Sequence, residues 1–299
     1  MNGRPVWRSL QYVPAHVEKY VSTAHTRGSD AIILDLEDSV PVDQKDRARS
    51  GVSAAALQCG RSGADIIVRI NSGEMAGEDI SASVGPLVTA LSLPKVDSVE
   101  QLLQLEALVD AAETRQGQPA GRTGLWVLIE SAAGFLEMAA IARASRRVIA
   151  MTLGGEDFAA DVGMEPSEDT LLLPKQQMII AAAAAGVMPL GVIGATTRFD
   201  DPEAYLAMAR RSRQFGFAGS SCIHPSQIPL LNEAFSPTPE EVALAGRIVA
   251  GASEAQAAGR GAFAIDGKMI DPPVVARAHA LLARQRAIQD RLDKRQASS

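Results

Sequence analysis

Two short apolar runs, residues 126–129 and 148–153, each lead to an acid: Glu130 follows the first, and Asp157 stands just past the second, in LGGEDF. Carboxylates at the same end of neighbouring parallel strands suit a small hard cation. Oxygen-only ligation favours Mg2+ or Mn2+ and leaves positions open for water and a chelating substrate. Such a metal is a Lewis acid that polarises a carbonyl and stabilises an enolate. The bland reading, that each acid caps the helix after it, stays open for either one alone. Other chemistry-bearing residues close their own apolar runs: Glu37 and Asp38 after AIILDL, Arg69 in DIIVRI, Lys95 after LP, and His224 after GSSCI. Arg69 offers a planar fork of donors for a carboxylate or carbonyl oxygen, unless it is tied up with Glu37 or Glu130. An extended strand end turns only one of Glu37 and Asp38 inward. Glu37 is favoured, orienting Arg69 or a metal-bound water, with Asp38 assisting from the loop. Lys95 reads as paired with a carboxylate rather than as a Schiff-base nucleophile, and His224 as a turn cap rather than a base.

These residues need a frame that brings strand ends together. Strand signals fall at residues 9–13, 31–36, 65–70, 87–93, 126–129, 148–153, 189–193 and 218–223, separated by segments of helical periodicity. AIILDL is apolar at nearly every position, the mark of a strand covered on both faces in a parallel sheet. Eight alternations of strand and helix predict a TIM (β/α)8 barrel, in which strand C-termini share one mouth and catalytic groups collect there. The expected division is a catalytic barrel over residues 1–235 and a C-terminal helical extension over 236–299. TPEE at residues 238–241 opens that extension as a capping box with proline at the first helical position. A segment of this kind beyond a complete barrel is expected to have no core of its own and to fold over its own barrel or, as favoured, a neighbouring subunit.

A chain of 299 residues, 46% hydrophobic and with a formal charge of -6, argues against a nucleic-acid partner. No apolar run reaches the length of a membrane span, and the N-terminus has no secretory signal, so the expected compartment is the cytoplasm. Cys59 and Cys222, the only cysteines, read as core thiols, and four histidines leave little room for a histidine-rich site. Neither GxGxxG nor GxxxxGK[ST] stands where a nucleotide-binding loop would need it.

The segments RSLQYVPA, AIILDLEDSVPVDQKDRAR, IVRIN, LPKVDS, LIESAAG, LGGEDFAADVG and GFAGSSCIHPSQIPLLNEAFSPTPEE run through nearly the whole chain. In this order they resemble the HpcH/HpaI aldolase and citrate lyase beta-subunit family, especially its CitE-like and malyl-CoA lyase members. The resemblance implies a Mg2+-binding TIM barrel acting on acyl-CoA thioesters or related 2-oxo and hydroxy acids. It implies Glu130 and Asp157 as metal ligands, Arg69 as substrate-binding arginine, Glu37 and Asp38 as an acidic loop, and a homotrimer or hexamer. GKMIDPP resembles the C-terminal motif whose aspartate crosses a subunit interface, which makes Asp271 the general acid and Asp266 the alternative. The chain departs from the family at Ala15 and His16-Val17, where part of CoA is held, and at Gly191, where an aspartate is common. The expected activity is cleavage of a malyl- or citramalyl-type CoA thioester to acetyl-CoA and a 2-oxo acid. Thioester hydrolysis, CoA-independent aldol cleavage and a non-catalytic acyl-CoA-binding role are the rivals.

Overall fold

The computed structural model describes residues 5–194, 200–259 and 261–297. It divides into two compact units, Met1–Phe235 and Ser236–Ser299. In the first, eight parallel strands stand in the order β7-β6-β5-β4-β3-β2-β1-β8. They are β1 (Ser9–Pro14), β2 (Ala31–Asp35), β3 (Asp65–Arg69), β4 (Ala90–Leu93), β5 (Gly124–Ile129), β6 (Val148–Leu153), β7 (Met188–Pro189) and β8 (Ser220–Cys222). A parallel bridge between Leu190 and Gly219 joins the β7 and β8 edges and completes the ring. This is the expected barrel. Three strands, β4, β7 and β8, are shorter than their sequence signals; past β7 the chain still pairs with the β8 edge, Gly191 N–H donating to the Gly219 carbonyl at 2.8 Å.

Alternation along the strands sorts side chains into two layers. Ile32, Leu34, Ile66, Val68, Leu91, Leu125 and Val127 face outward into the large core beneath the helices. Leu10, Ala31, Ile33, Ile67, Ala90, Trp126, Leu128 and Ala150 form a separate cluster within the ring. Fully buried on both faces, β2 is apolar up to its closing aspartate.

The surrounding helices are α1 (Glu18–Ala24), α2 (Lys45–Cys59), α3 (Ala76–Ser83), α4 (Val99–Arg115), α5 (Ala132–Ala144), α6 (Gly155–Val162), α7 (Glu168–Ala185), α8 (Pro202–Phe215) and α9 (Gln227–Ala234). Ser98, Ser131, Ser167 and Asp201 cap α4, α5, α7 and α8 with side-chain oxygens. On α4, Leu102 and Val109 are buried, and Leu108 is exposed. Cys59 and Cys222 are free and buried, and burial pushes both thiols up to about 12.

The second unit holds α10 (Pro239–Ala257), an antiparallel hairpin of β9 (Phe263–Ile265) and β10 (Lys268–Ile270), and α11 (Pro272–Ala297). Thr238 and Glu241 form the expected capping box. Contrary to the expectation that this extension lacks a core, Ala245, Ile248, Ile270 and Ala278 make a small one, because the hairpin and α11 pack apolar residues against the buried side of α10. No helix among the described residues is long and apolar enough to cross a membrane.

Candidate active site

Parity along the strands selects the groups at the mouth. On β2 the inward positions continue from Ile33 to Asp35 and on to Glu37; on β3 they run from Ile67 to Arg69; on β5 from Leu128 to Glu130. Arg69 is the hub. Its Nε and Nη2 donate to the two oxygens of Asp35, both at 2.7 Å. Its Nη1 lies 2.9 Å from Glu37 and 3.0 Å from Asp38. The guanidinium also lies over the Tyr12 ring, 4.8 Å from its centroid. The fork expected to be free for substrate is therefore filled by Asp35 along its Nε and Nη2 side and by Glu37 and Asp38 at Nη1, leaving one Nη2 proton.

Asp35 is the most buried of these acids and is held below the usual carboxylate range. Burial pushes its pKa up, but the paired bonds from Arg69 and a bond from Ser39 outweigh that. Glu37 is buried too, and burial raises it to about 7 against the pull of Arg69. Asp38 is mostly exposed. Lys45 fixes this acidic loop from below, donating to the carbonyls of Leu36 and Glu37, each at 2.9 Å.

Glu130 is 8% exposed, and its Oε2 accepts the backbone N–H of Lys95 at 2.9 Å. Lys95 makes that bond from a left-handed backbone, φ +53, so its service to the site is through the main chain; its side chain is exposed. Burial raises Glu130 to about 7, and the charges of Asp157 and Glu37 add to the rise. Asp157 stands in the first turn of α6, exposed, and its side chain accepts no hydrogen bond among the described residues. Gly154, the N-cap residue of α6, gives no side-chain cap. A Cβ on Gly154 would meet Glu130 Cγ at 2.6 Å and Oε1 at 2.9 Å, so only glycine leaves the carboxylate its place.

A pocket opens beside these groups, lined among others by Tyr12, Arg69, Trp126, Glu130, Glu156 and Lys175. On its floor, Trp126 Nε1 donates to Thr152 Oγ1 at 2.9 Å, and that hydroxyl donates to the Leu190 carbonyl at 3.0 Å. Three residues of the site, Asp35, Tyr12 and Lys175, escaped the sequence reading. Asp35 shares parity with Glu37, and Tyr12 with Leu10 of the cluster within the ring. Lys175 falls on the buried stripe of α7 with Leu171, Pro174, Met178 and Ala182, a spacing visible in the sequence.

The remaining expected residues make local contacts. His224 Nδ1 lies 2.7 Å from Ser226 Oγ, a local turn contact. Asp271, in the second unit, caps α11: its Oδ1 accepts Val274 N–H at 3.3 Å. Asp266 sits at the hairpin turn with φ +49 and pairs with Arg247 at 2.7 Å.

The donor set fits a hard cation. Glu130 Oε1 and both Asp157 oxygens accept no hydrogen bond among the described residues, and burial, with the charges of Asp157 and Glu37, raises the pKa of Glu130, which a bound cation would oppose. No group of three or more histidine, cysteine or acidic ligands is gathered among the described residues, so a metal here would keep open positions.

Residues 8–225 match the family described as HpcH/HpaI aldolase/citrate lyase. The chain is 33% identical over 286 residues to the citrate lyase subunit beta of Leuconostoc mesenteroides subsp. cremoris, covering 94% of each chain. It is 32% identical over 286 residues to a (3S)-malyl-CoA thioesterase of Cereibacter sphaeroides, covering 94% of this chain and 95% of that one. Among solved structures, CitE from Mycobacterium tuberculosis in complex with magnesium, acetoacetate and coenzyme A superposes with a TM-score of 0.74. The two share 30% identity over 95% of this chain and 98% of that one.

Proposed function

This chain belongs to the HpcH/HpaI aldolase/citrate lyase family, and from that premise we propose that it is a Mg2+-dependent carbon-carbon lyase. Its substrate is a 3-hydroxyacyl-CoA thioester of the malyl or citramalyl kind, cleaved to acetyl-CoA and a 2-oxo acid. The observation that carries this reading is the pair Glu130 and Asp157, coupled by charge and holding oxygens committed to nothing else. Their fit to a hard cation agrees with the magnesium in the CitE complex.

Glu130 and Asp157 would hold Mg2+, with Mn2+ as the substitute. When bound, it supplies Lewis acidity to the oxygens of a 2-hydroxy or 2-oxo acid. Arg69, kept charged and fixed by Asp35, orients the substrate's carboxylate or hydroxyl through its remaining Nη2 proton. Glu37, raised to about 7 by burial, is suited to receive the hydroxyl proton near neutral pH. As the carbon-carbon bond breaks, its electron pair passes to the thioester enolate, whose methylene carbon then takes a proton. We assign that proton to Asp271 of a neighbouring copy in a homotrimer or hexamer.

Hydrolysis of the same thioester is the second reading, favoured by the resemblance to the (3S)-malyl-CoA thioesterase. The test is a panel of 3-hydroxyacyl-CoA thioesters incubated with Mg2+ and followed by mass spectrometry. Acetyl-CoA with a 2-oxo acid supports the lyase, and free CoA with a hydroxy acid supports hydrolysis. Turnover of free hydroxy-oxo acids alone, or activity indifferent to chelation and to Glu130→Gln, overturns the proposal.

A further inference from the structure

When a thioester becomes an enolate or a tetrahedral adduct, negative charge collects on its carbonyl oxygen, and a preformed donor there lowers the barrier. Arg69 has little charge to spare for that oxygen, being ringed by the carboxylates of Asp35, Glu37 and Asp38. Several neutral donors of the pocket are spent. Trp126 Nε1 donates to Thr152, Thr152 Oγ1 to the Leu190 carbonyl, and Ser220 Oγ to the Ser221 carbonyl at 3.0 Å. The second cation of the lining is Lys175.

Lys175 is 5% exposed, and its Nζ donates to two main-chain carbonyls, Ile193 at 3.1 Å and Gly194 at 3.2 Å. An ammonium has three protons, so one is unspent. It forms no ion pair among the described residues: Glu168, which acts on it at longer range, is committed to Arg211 at 2.9 Å, and Glu156 is exposed. A charge held out of water without a counter-ion costs stability, and departures of this kind collect where a site needs the group for its chemistry. Bare backbone links it to the acidic pole. A Cβ on Gly154 would meet Glu130, and one on Gly155 would stand 3.6 Å from Lys175 Nζ. Carboxylate and ammonium therefore flank neighbouring steps of one loop, whose Cα atoms are about 3.8 Å apart.

We propose that Lys175 is the oxyanion donor of this site: its unspent N–H meets the thioester carbonyl oxygen and stabilises the negative charge that develops there. This rests on the thioester reading given above. The thioester carbonyl carbon, C1, lies two bonds from C3, which carries the chelated hydroxyl, so a substrate held at the acidic pole extends its carbonyl towards the ammonium. In cleavage, the hydroxyl proton passes to Glu37, the C2–C3 electron pair becomes the C1–C2 double bond, and the carbonyl π pair moves onto oxygen; C2 then takes its proton from Asp271. In hydrolysis, water adds to C1, its proton passes to Glu37, and the same oxygen gains the same charge. Lys175 donates a hydrogen bond in both and gives up no proton, so its role is common to the two readings.

The test uses the full-length protein in saturating Mg2+ and two readouts. Lys175→Gln keeps amide N–H donors for the Ile193 and Gly194 carbonyls but removes the charge. Its kcat on malyl-CoA or citramalyl-CoA should fall at least about 100-fold with KM changed less than about 3-fold, and Lys175→Arg should recover part of the loss. The second readout is equilibrium binding without turnover, followed by the fluorescence of Trp126 on the pocket floor. The dethia carboxymethyl analogue of acetyl-CoA carries a charged oxygen where the enolate would. The wild type should prefer it to acetyl-CoA at least about 10-fold more strongly than Lys175→Gln does. Two results overturn the assignment: a Lys175→Gln kcat within about 3-fold of wild type, or an unchanged preference for the analogue, whether or not both ligands bind more weakly. A wild type that neither cleaves nor hydrolyses either thioester overturns the thioester reading itself, and the analogue comparison still decides whether Lys175 meets an oxyanion.

Discussion

Glu130 keeps one oxygen for Lys95 N–H and one unspent, and that arrangement depends on what is missing from Gly154. Gly154→Ala should therefore push the carboxylate aside and weaken Mg2+ binding at least about 10-fold by calorimetry, with little change in thermal midpoint if the loop shifts outward. Lys95 gives a second, opposite test. Its positive φ costs a side-chain-bearing residue about 1 kcal/mol, close to what glycine loses in chain entropy. Lys95→Gly is thus expected to leave stability within about 1 kcal/mol and activity nearly intact, whereas Lys95→Val should lose both, as read by melting and turnover. Retained activity in the valine variant would show that the bend is not needed. At this scale the sequence revealed which residues end strands but not how they are shared. That Lys95 serves through its main chain, or that Asp35 fills the fork of Arg69, follows from backbone angles and cross-strand register. Neither is encoded by residue type.

The helices and strands were more legible, since apolar period and caps depend on near neighbours. β6 and the start of α10 lie where the sequence signals put them, while β4, β7 and β8 are shorter than theirs. The end of the barrel away from the pocket carries a device that local patterns could not show. Arg147, just before β6, donates to both oxygens of Glu113 on α4 and also contacts Asp110. Glu113 further accepts the N–H groups of Thr123 at 2.6 Å and Gly121 at 2.9 Å. Burial opposes its charge, yet the bond from Arg147 and these backbone donors lower its pKa to about 2. An unfolded glutamate titrates near about 4.3, so the folded state gains stability above that pH and loses it as pH falls through about 2. Glu113→Gln should cost about 3 kcal/mol at neutral pH in urea unfolding. The gap to wild type should narrow below about pH 4 and close near 2; a gap constant down to that pH would contradict the account.

For the whole molecule, the barrel followed from the count of strand and helix signals, because eight alternating units have few ways to close. The assembly proposed here makes a prediction that single subunits cannot meet. If each mouth receives Asp271 from another copy, Glu130→Gln and Asp271→Asn should each be inactive alone. Dissociated, mixed in equal amounts and reassembled, they should recover about a quarter of wild-type activity, from sites that draw both intact groups. No recovery after demonstrated exchange of subunits would place the acid elsewhere.

The ring, finally, has a seam. Between β7 and β8 it is joined at Leu190 and Gly219, where a Cβ on Gly219 would stand 1.9 Å from the Trp7 carbonyl. Leu190 is also the carbonyl to which Thr152 of the pocket floor is tied, and Lys175 grips the chain three and four residues further on. A ligand seated there would act as a clasp on the weakest join of the cylinder, so occupancy should slow deuterium uptake at the amides of Leu190 and Gly191 more than at any central strand.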